Sequence, residues 1–207
     1  MTIMLGAFND GDTGVYQHTD IDNRADWDGK GNFEAGDEFS EYKGETKYWD
    51  EFMTPDDKAI GVGARIEFGQ SFDKDMAALN GQANQQDLTK TAQKSKLYGR
   101  FDVKNKSWFA PDGPYTGKLL NGMYASARSA GNFLAGWNGA TGTFEGSHIS
   151  ETTYMKLAGA LQQGQLNRTN AAEILLFGRQ FGPAPYYGEE GYSGRRILEG
   201  FEYGRSH

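Results

Sequence analysis

At 207 residues, with no cysteine and a net charge of −7, the chain is one large domain or two small ones, without disulfides, thiolate metal sites or a cysteine nucleophile. The acidic balance disfavours phosphate-backbone binding as the main source of affinity, while leaving room for a nuclease with a local basic patch. No apolar run is long enough to span a bilayer, so stable membrane insertion is not expected.

A 37% hydrophobic content is low, but the 14% aromatic share supplies enough large side chains for a sizeable core. The 29 glycines against 5 prolines point to turns and close contacts in place of extended proline linkers. The opening MTIML lacks the basic and apolar regions of a signal peptide. Because it starts inside what reads as a strand, the chain is expected to be a piece of a longer one.

The first part, residues 1 to 73, reads as β. Thr13 to His18 carries strand-forming residues, Glu45 to Phe52 alternates, Pro55 to Lys58 makes a turn and Gly61 to Phe68 alternates again. A small antiparallel sheet is the simplest arrangement. Residues 74 to 115 form a connector whose Ala, Gln, Asn and Lys composition suits an exposed helix or a mobile link. Residues 116 to 207 then turn helical, so the fold class is α+β: a β-rich first part followed by a helical bundle.

Within Leu119 to Gly142, Gly or Ala recurs every three or four residues, with Met123, Tyr124, Phe133, Leu134 and Trp137 interleaved. At a period of about 3.6 this makes a helix with one small-residue face, against which a neighbouring backbone can lie closely. Each interior glycine costs about 1 kcal/mol relative to alanine, so packing must hold this helix. Its polar residues Arg128, Ser129 and Asn132 are then buried or face a cleft. Ser150 caps the next helix, which Gly164 stops; Thr169 caps another, ending at Gly182; Ser193 caps the last, whose buried face is Ile197, Leu198 and Phe201.

Three segments carry candidate chemistry. The acidic run Asp20 to Glu38 offers oxygen ligands at Asp26, Asp28, Asn32, Glu34 and Asp37 with Gly31 at a turn, but Lys30 falls where a calcium loop needs oxygen. A solvated hairpin loop accounts for it more simply, and no metal site is assigned. No two of the three histidines have metal spacing. His148 lies three residues after Glu145 in a loop between helices, where either a general base or an ordinary surface histidine fits.

The third segment is Gly182 to Arg196. Glu189 and Glu190 stand at the mouth of a helix, flanked by Tyr186, Tyr187 and Tyr192, with Arg195 and Arg196 one turn later. Acid groups at a helix N-terminus are stabilised as anions. Carboxylate, arginine and tyrosine in one loop suit acid/base work on a glycosidic or phosphoester bond. An Arg–Glu structural clamp fits the same residues. With Arg128, Ser129 and Asn132 these groups are expected to line one cleft, and the tyrosines and Trp137 to contact substrate. The sequence identifies no cofactor.

Three blocks in the helical half resemble the polymorphic toxin type 44 family, found at the C-terminal tips of large bacterial secreted proteins including Rhs/YD-repeat proteins. Ser129-Ala-Gly-Asn-Phe133 with Gly136 and Gly139 is similar to that family's S/T-x-G-N-F…G…G block. Ala158-Gly-Ala-Leu-Gln162 is similar to its AGAxQ helix, and Gly188 to Gly200 to its closing G-D-D-P-x-D-x-x-x-I-x-x-G. The family's paired Asp stand here as Glu189 and Glu190, its Pro as Gly191 and its later Asp as Ser193. The resemblance implies a secreted antibacterial effector domain, delivered into a target cell by a larger Rhs-like chain or a secretion system and neutralised by a cognate immunity protein. A hydrolase acting on envelope material, a peptidoglycan precursor or a nucleotide-type substrate is the leading expectation. A nuclease toxin with a local basic patch and a non-catalytic binding module are the alternatives.

Overall fold

The computed structural model describes residues 13–18, 40–53 and 65–207; the acidic run 20–38 and the Pro55 turn lie outside them. It is an α+β chain, with strands β1 (Gly14–His18), β2 (Ser40–Glu45), β3 (Ile66–Ser71), β4 (Gly117–Leu120) and β5 (Met123–Ser126). The helices are α1 (Asp73–Ala83), α2 (Leu88–Lys94), α3 (Ala127–Thr141), α4 (Glu151–Gln162), α5 (Arg168–Phe177) and α6 (Gly191–Ser206). Two compact units share them. One comprises the chain up to Asp75 together with Val103–Ala130; the other comprises Met76–Asp102 with Gly131–His207.

In the first unit β1 pairs antiparallel with β2, while β3, β4 and β5 form a second sheet. That sheet is mixed, not purely antiparallel: β3 runs parallel to β4, and β4 antiparallel to β5. Parallel neighbours need a long crossover, and here the chain between Ser71 and Gly117 supplies it. Val15, Phe52, Ile66 and Tyr124 make the core, with Phe68, Tyr115 and Leu119 against it.

Two expectations for this unit are corrected. The segment expected as a strand over 45–52 is a run of turns, closed by Glu51 N donating to Tyr48 O at 3.2 Å and Met53 N to Asp50 O at 3.0 Å. Three consecutive residues, Glu51, Phe52 and Met53, are buried there, which a strand alternating between core and solvent cannot arrange. Secondly, the helix expected from Leu119 begins only at Ala127. The eight residues before it form the β4–β5 hairpin, with Leu120 opposite Met123 and φ of 50° at Asn121 and 85° at Gly122. Positive φ at both central positions is the two-residue turn that Asn-Gly favours.

The second unit is helical. The segment 74–115, expected as an exposed helix or a mobile link, contains the helices α1 and α2, which bury Met76, Leu79, Asn80, Ala83, Leu88 and Thr91. Asn80 Nδ2 donates to Asn138 Oδ1 at 2.9 Å and to Thr141 Oγ1 at 2.8 Å, tying α1 to α3 through a buried polar network. Ser150 caps α4 as expected, its Oγ accepting from Thr153 N. The caps of the next two helices shift. Asn167, not Thr169, caps α5, which stops at left-handed Gly178 (φ 68°) before reaching Gly182. Glu190, not Ser193, is the N-cap residue of α6, and Ser193 is buried inside its first turn. Among the described residues no helix is long and apolar enough to cross a membrane.

The small-residue face of α3 does the work its sequence implies. A Cβ on Gly136 would stand 2.8 Å from the carbonyl carbon of Ile197 in α6, and one on Gly139 2.5 Å from the Tyr154 ring in α4. Two helices therefore pack onto the glycines of α3: α4 through the Tyr154 ring, and α6 at backbone distance, with Gly136 against the Ile197 carbonyl.

Candidate functional site

The loop between α5 and α6 is stitched to the helices on either side of it. Gly159 of α4 lies against the backbone carbonyl of Tyr187, where any Cβ would overlap that oxygen. Gln163 Nε2 donates to Gly188 O at 2.7 Å. The Tyr186 ring covers Gly194 of α6, and a Cβ there would stand 2.8 Å from its Cγ. Inside the loop, Tyr187 N donates to Pro183 O at 2.8 Å and Glu189 N to Tyr186 O at 2.9 Å. Two of the blocks singled out from the sequence, around Gly159 and around Gly188, are thus in direct contact, and their glycines are the contact points.

This frame presents Glu189 and Glu190 at the start of α6. Glu189 is half-buried and Glu190 exposed. Glu189 Oε1 accepts from Glu190 N at 3.4 Å, at the positive end of the helix dipole. The side chain that sequence reasoning missed here is Tyr154 of α4. Its hydroxyl donates to Ala135 O of α3 at 2.5 Å. Burial, and then the negative charge of Glu189, raise its pKa well above the ordinary tyrosine range. Tyr154 consequently stays protonated at any physiological pH and is a fixed donor, not a nucleophile. The only signal for it in sequence was an aromatic residue on the core side of α4.

The other candidates separate into clear roles. On α3, the Nδ2 of Asn132 is buried and has no acceptor among the described residues. Arg196 is buried and its Nη1 donates to Glu199 Oε2 at 2.8 Å along α6, which is the structural-clamp arrangement. Arg195 stacks on Tyr192, its guanidinium 5.1 Å from the ring centroid. Lys156 Nζ lies 5.4 Å from the centroid of Tyr187, so these two tyrosines are engaged as cation platforms. Trp137 packs edge-on against Tyr203, with ring centroids 4.9 Å apart, as part of the α3–α6 contact.

His148 sits exposed on the loop after α3, its Nδ1 3.0 Å from Gly142 O. The same loop is held by Asp87, the N-cap of α2, whose Oδ2 accepts from Glu145 N at 2.7 Å. Burial opposes ionisation of Asp87, but hydrogen bonds from Thr89 and Glu145 and the charge of Lys90 outweigh it and lower its pKa.

In the first unit, Arg128 and Ser129 occupy the first turn of α3 and both are buried. Ser126 precedes that helix; its Oγ accepts from Ser129 N at 3.1 Å. Glu51 completes the end from a distant part of the chain, accepting from Ser126 N at 2.8 Å and from Ser126 Oγ at 3.1 Å. This is the reciprocal pattern of a capping box, with the acid supplied from 75 residues away instead of from the helix's own first turn. Among the described residues no group of His, Asp and Glu has the arrangement of a metal site.

No family model matches this chain, and no curated protein or solved structure is significantly similar to it.

Proposed function

We propose that the chain is an antibacterial effector domain, a hydrolase delivered into a recipient cell and neutralised in the producer by a cognate immunity protein. Glu189 is its acid/base group and Asn132 a donor to a polar group of the substrate. The observation that carries the reading is the buried Asn132 amide with no acceptor among the described residues, because a stranded buried donor costs about 1–3 kcal/mol and is seldom retained without use. Glu189 supports it: a carboxyl group held by a loop bonded to helices at both ends has the fixed placement that proton transfer requires. In this role the Glu189 carboxylate takes a proton from water as the oxygen attacks the scissile bond, then returns it to the leaving group. The biological setting rests on the resemblance of the blocks around Asn132, Gly159 and Gly188 to the toxin family's pattern, from which Glu189, Glu190, Gly191 and Ser193 depart.

Expression in a bacterial host with and without a periplasmic signal tests the reading. Growth arrest from one compartment, abolished by Glu189→Gln and by Asn132→Ala with the fold retained, is the expected result. A wild-type chain that is inert in both compartments removes the toxin reading. Arrest that survives Glu189→Gln removes the assigned site. A nuclease toxin is the second reading, favoured by the exposed cations Lys90, Lys94, Lys96 and Arg100 on the same unit.

A further inference from the structure

The chain is acidic overall, yet residues 90–100 contain Lys90, Lys94, Lys96 and Arg100 and no acid. All four are exposed, and none forms an ion pair among the described residues, although Lys90 lends its field to Asp87. They border a closed loop. Phe101 N donates to Lys94 O at 2.9 Å and Gly99 N to Lys96 O at 2.7 Å, which brings the two ends of the loop together. Gly99 is needed for this closure, since any Cβ would overlap the Lys94 carbonyl.

At the loop's tip Tyr98 is 70% exposed, beside Leu97 at 70%. Its backbone has φ 61°, a left-handed conformation uncommon for tyrosine, and its N–H donates to Asp102 Oδ2 at 2.7 Å. Strained backbone that the surroundings hold in place is characteristic of functional positions. Lys94 Nζ and Arg100 Nε rest on the side-chain oxygens of Gln86 and Gln82, at 2.5 and 2.8 Å. Those contacts restrain the two cations while leaving most of their donors available.

We infer that this loop binds a single-stranded nucleic acid, with the four cations along its phosphates and Tyr98 stacked on a base. A groove or rim of cations combined with an outward aromatic is the arrangement that holds single strands without reading their sequence. An anionic membrane would call for an apolar helical face, whereas Leu97 and Tyr98 are exposed on a loop tip outside any helix and Leu88 of α2 is buried. An acidic protein would be matched by the charges and would give no reason to fix a tyrosine at the tip. The inference does not depend on Glu189, and its test does not read toxicity.

Fluorescence anisotropy of the full chain with a labelled thymidine 20-mer, at about 50 and 200 mM salt, is the test. Wild type should bind, more weakly at the higher salt. Lys94→Ala/Lys96→Ala/Arg100→Ala should weaken binding at least about tenfold and lower the log–log salt slope by about 2. Tyr98→Ala should cost about tenfold with the slope unchanged, and Tyr98→Phe should restore binding. Unaltered thermal midpoints show that the variants fold. Absence of binding by wild type overturns the inference. So does a triple variant that binds as well, or preferential binding to phosphatidylglycerol vesicles or to polyglutamate.

Discussion

Gly200 of α6 lies so close to Phe133 of α3 that a Cβ on the glycine would stand 2.7 Å from the Phe133 carbonyl carbon and closer still to its oxygen. Gly136 makes the reciprocal approach to Ile197. Replacing either with alanine gains about 1 kcal/mol of helix propensity, but it drives a methyl group into backbone that cannot move aside. Overpacking of this kind costs about 1–3 kcal/mol or more. Gly136→Ala and Gly200→Ala should therefore both lower the thermal midpoint. Gly81→Ala on α1, where a Cβ meets nothing within 4 Å, should raise it. Calorimetry on the three variants checks the contrast, and a neutral Gly200→Ala would contradict the crossing.

That crossing was legible in the sequence because small residues at helical spacing have one physical use. The start of the helix was not. Leu119 to Ser126 continues the Gly/Ala recurrence with Gly122 and Ala125, but Asn121-Gly122 is a hairpin signal that the helical period masked. The twin glutamates at the mouth of α6 could be read because helix N-termini have local grammar. Glu51 could not, since its partners Ser126 N and Oγ are 75 residues away and nothing near Glu51 announces them. The Asn80–Asn138 hydrogen bond across 58 residues is hidden for the same reason. A buried polar pair is a tertiary fact, and on one strand of sequence each asparagine reads only as a surface residue.

Glu51→Ala tests that long-range cap. The substitution removes the acceptor of a buried amide and of a buried hydroxyl at once. Leaving a buried donor unsatisfied costs about 1–3 kcal/mol, so denaturant unfolding should show a loss in that range. Glu51→Gln retains a carbonyl oxygen for Ser126 N and should recover most of it. Amide exchange at Ser126 should rise in the alanine variant and stay low in the glutamine one. Equal stability of all three chains would show that the α3 terminus does not need the contact.

Tyr154 gives a prediction in pH. Its folded pKa is raised above the unfolded value of 10.0, by burial first and by Glu189 second. The protonated phenol is thus preferred in the folded state. The stability this contributes is complete below pH 10 and is lost as pH rises beyond it. Tyr154→Phe should cost about 1 kcal/mol at neutral pH, through the hydrogen bond to Ala135 O. It should also weaken the fall in stability above pH 10. Glu189→Gln removes the nearby negative charge and should let Tyr154 ionise at lower pH than in wild type, read from tyrosinate absorbance. An alkaline titration identical in wild type and Glu189→Gln would place Glu189 away from Tyr154.

Arg196 and Glu189 should respond differently to truncation, and the difference decides how a loss of activity is read. Arg196 is 3% exposed and ion-paired with Glu199 inside α6. Removing one partner of a buried pair costs about 3–5 kcal/mol, so Arg196→Ala should unfold the chain at a markedly lower denaturant concentration. Glu189 is half-buried on a loop held by backbone bonds and by Gln163, and its Oε1 accepts from Glu190 N, an acceptor that a glutamine retains. Glu189→Gln should change stability by no more than about 0.5 kcal/mol. Toxicity lost in Arg196→Ala is then accounted for by folding, whereas toxicity lost in Glu189→Gln at unchanged stability has to come from the chemistry. Measuring the unfolding midpoint and growth arrest on the same two variants separates these outcomes. If Glu189→Gln loses as much stability as Arg196→Ala, the carboxyl group belongs to the scaffold and not to the reaction.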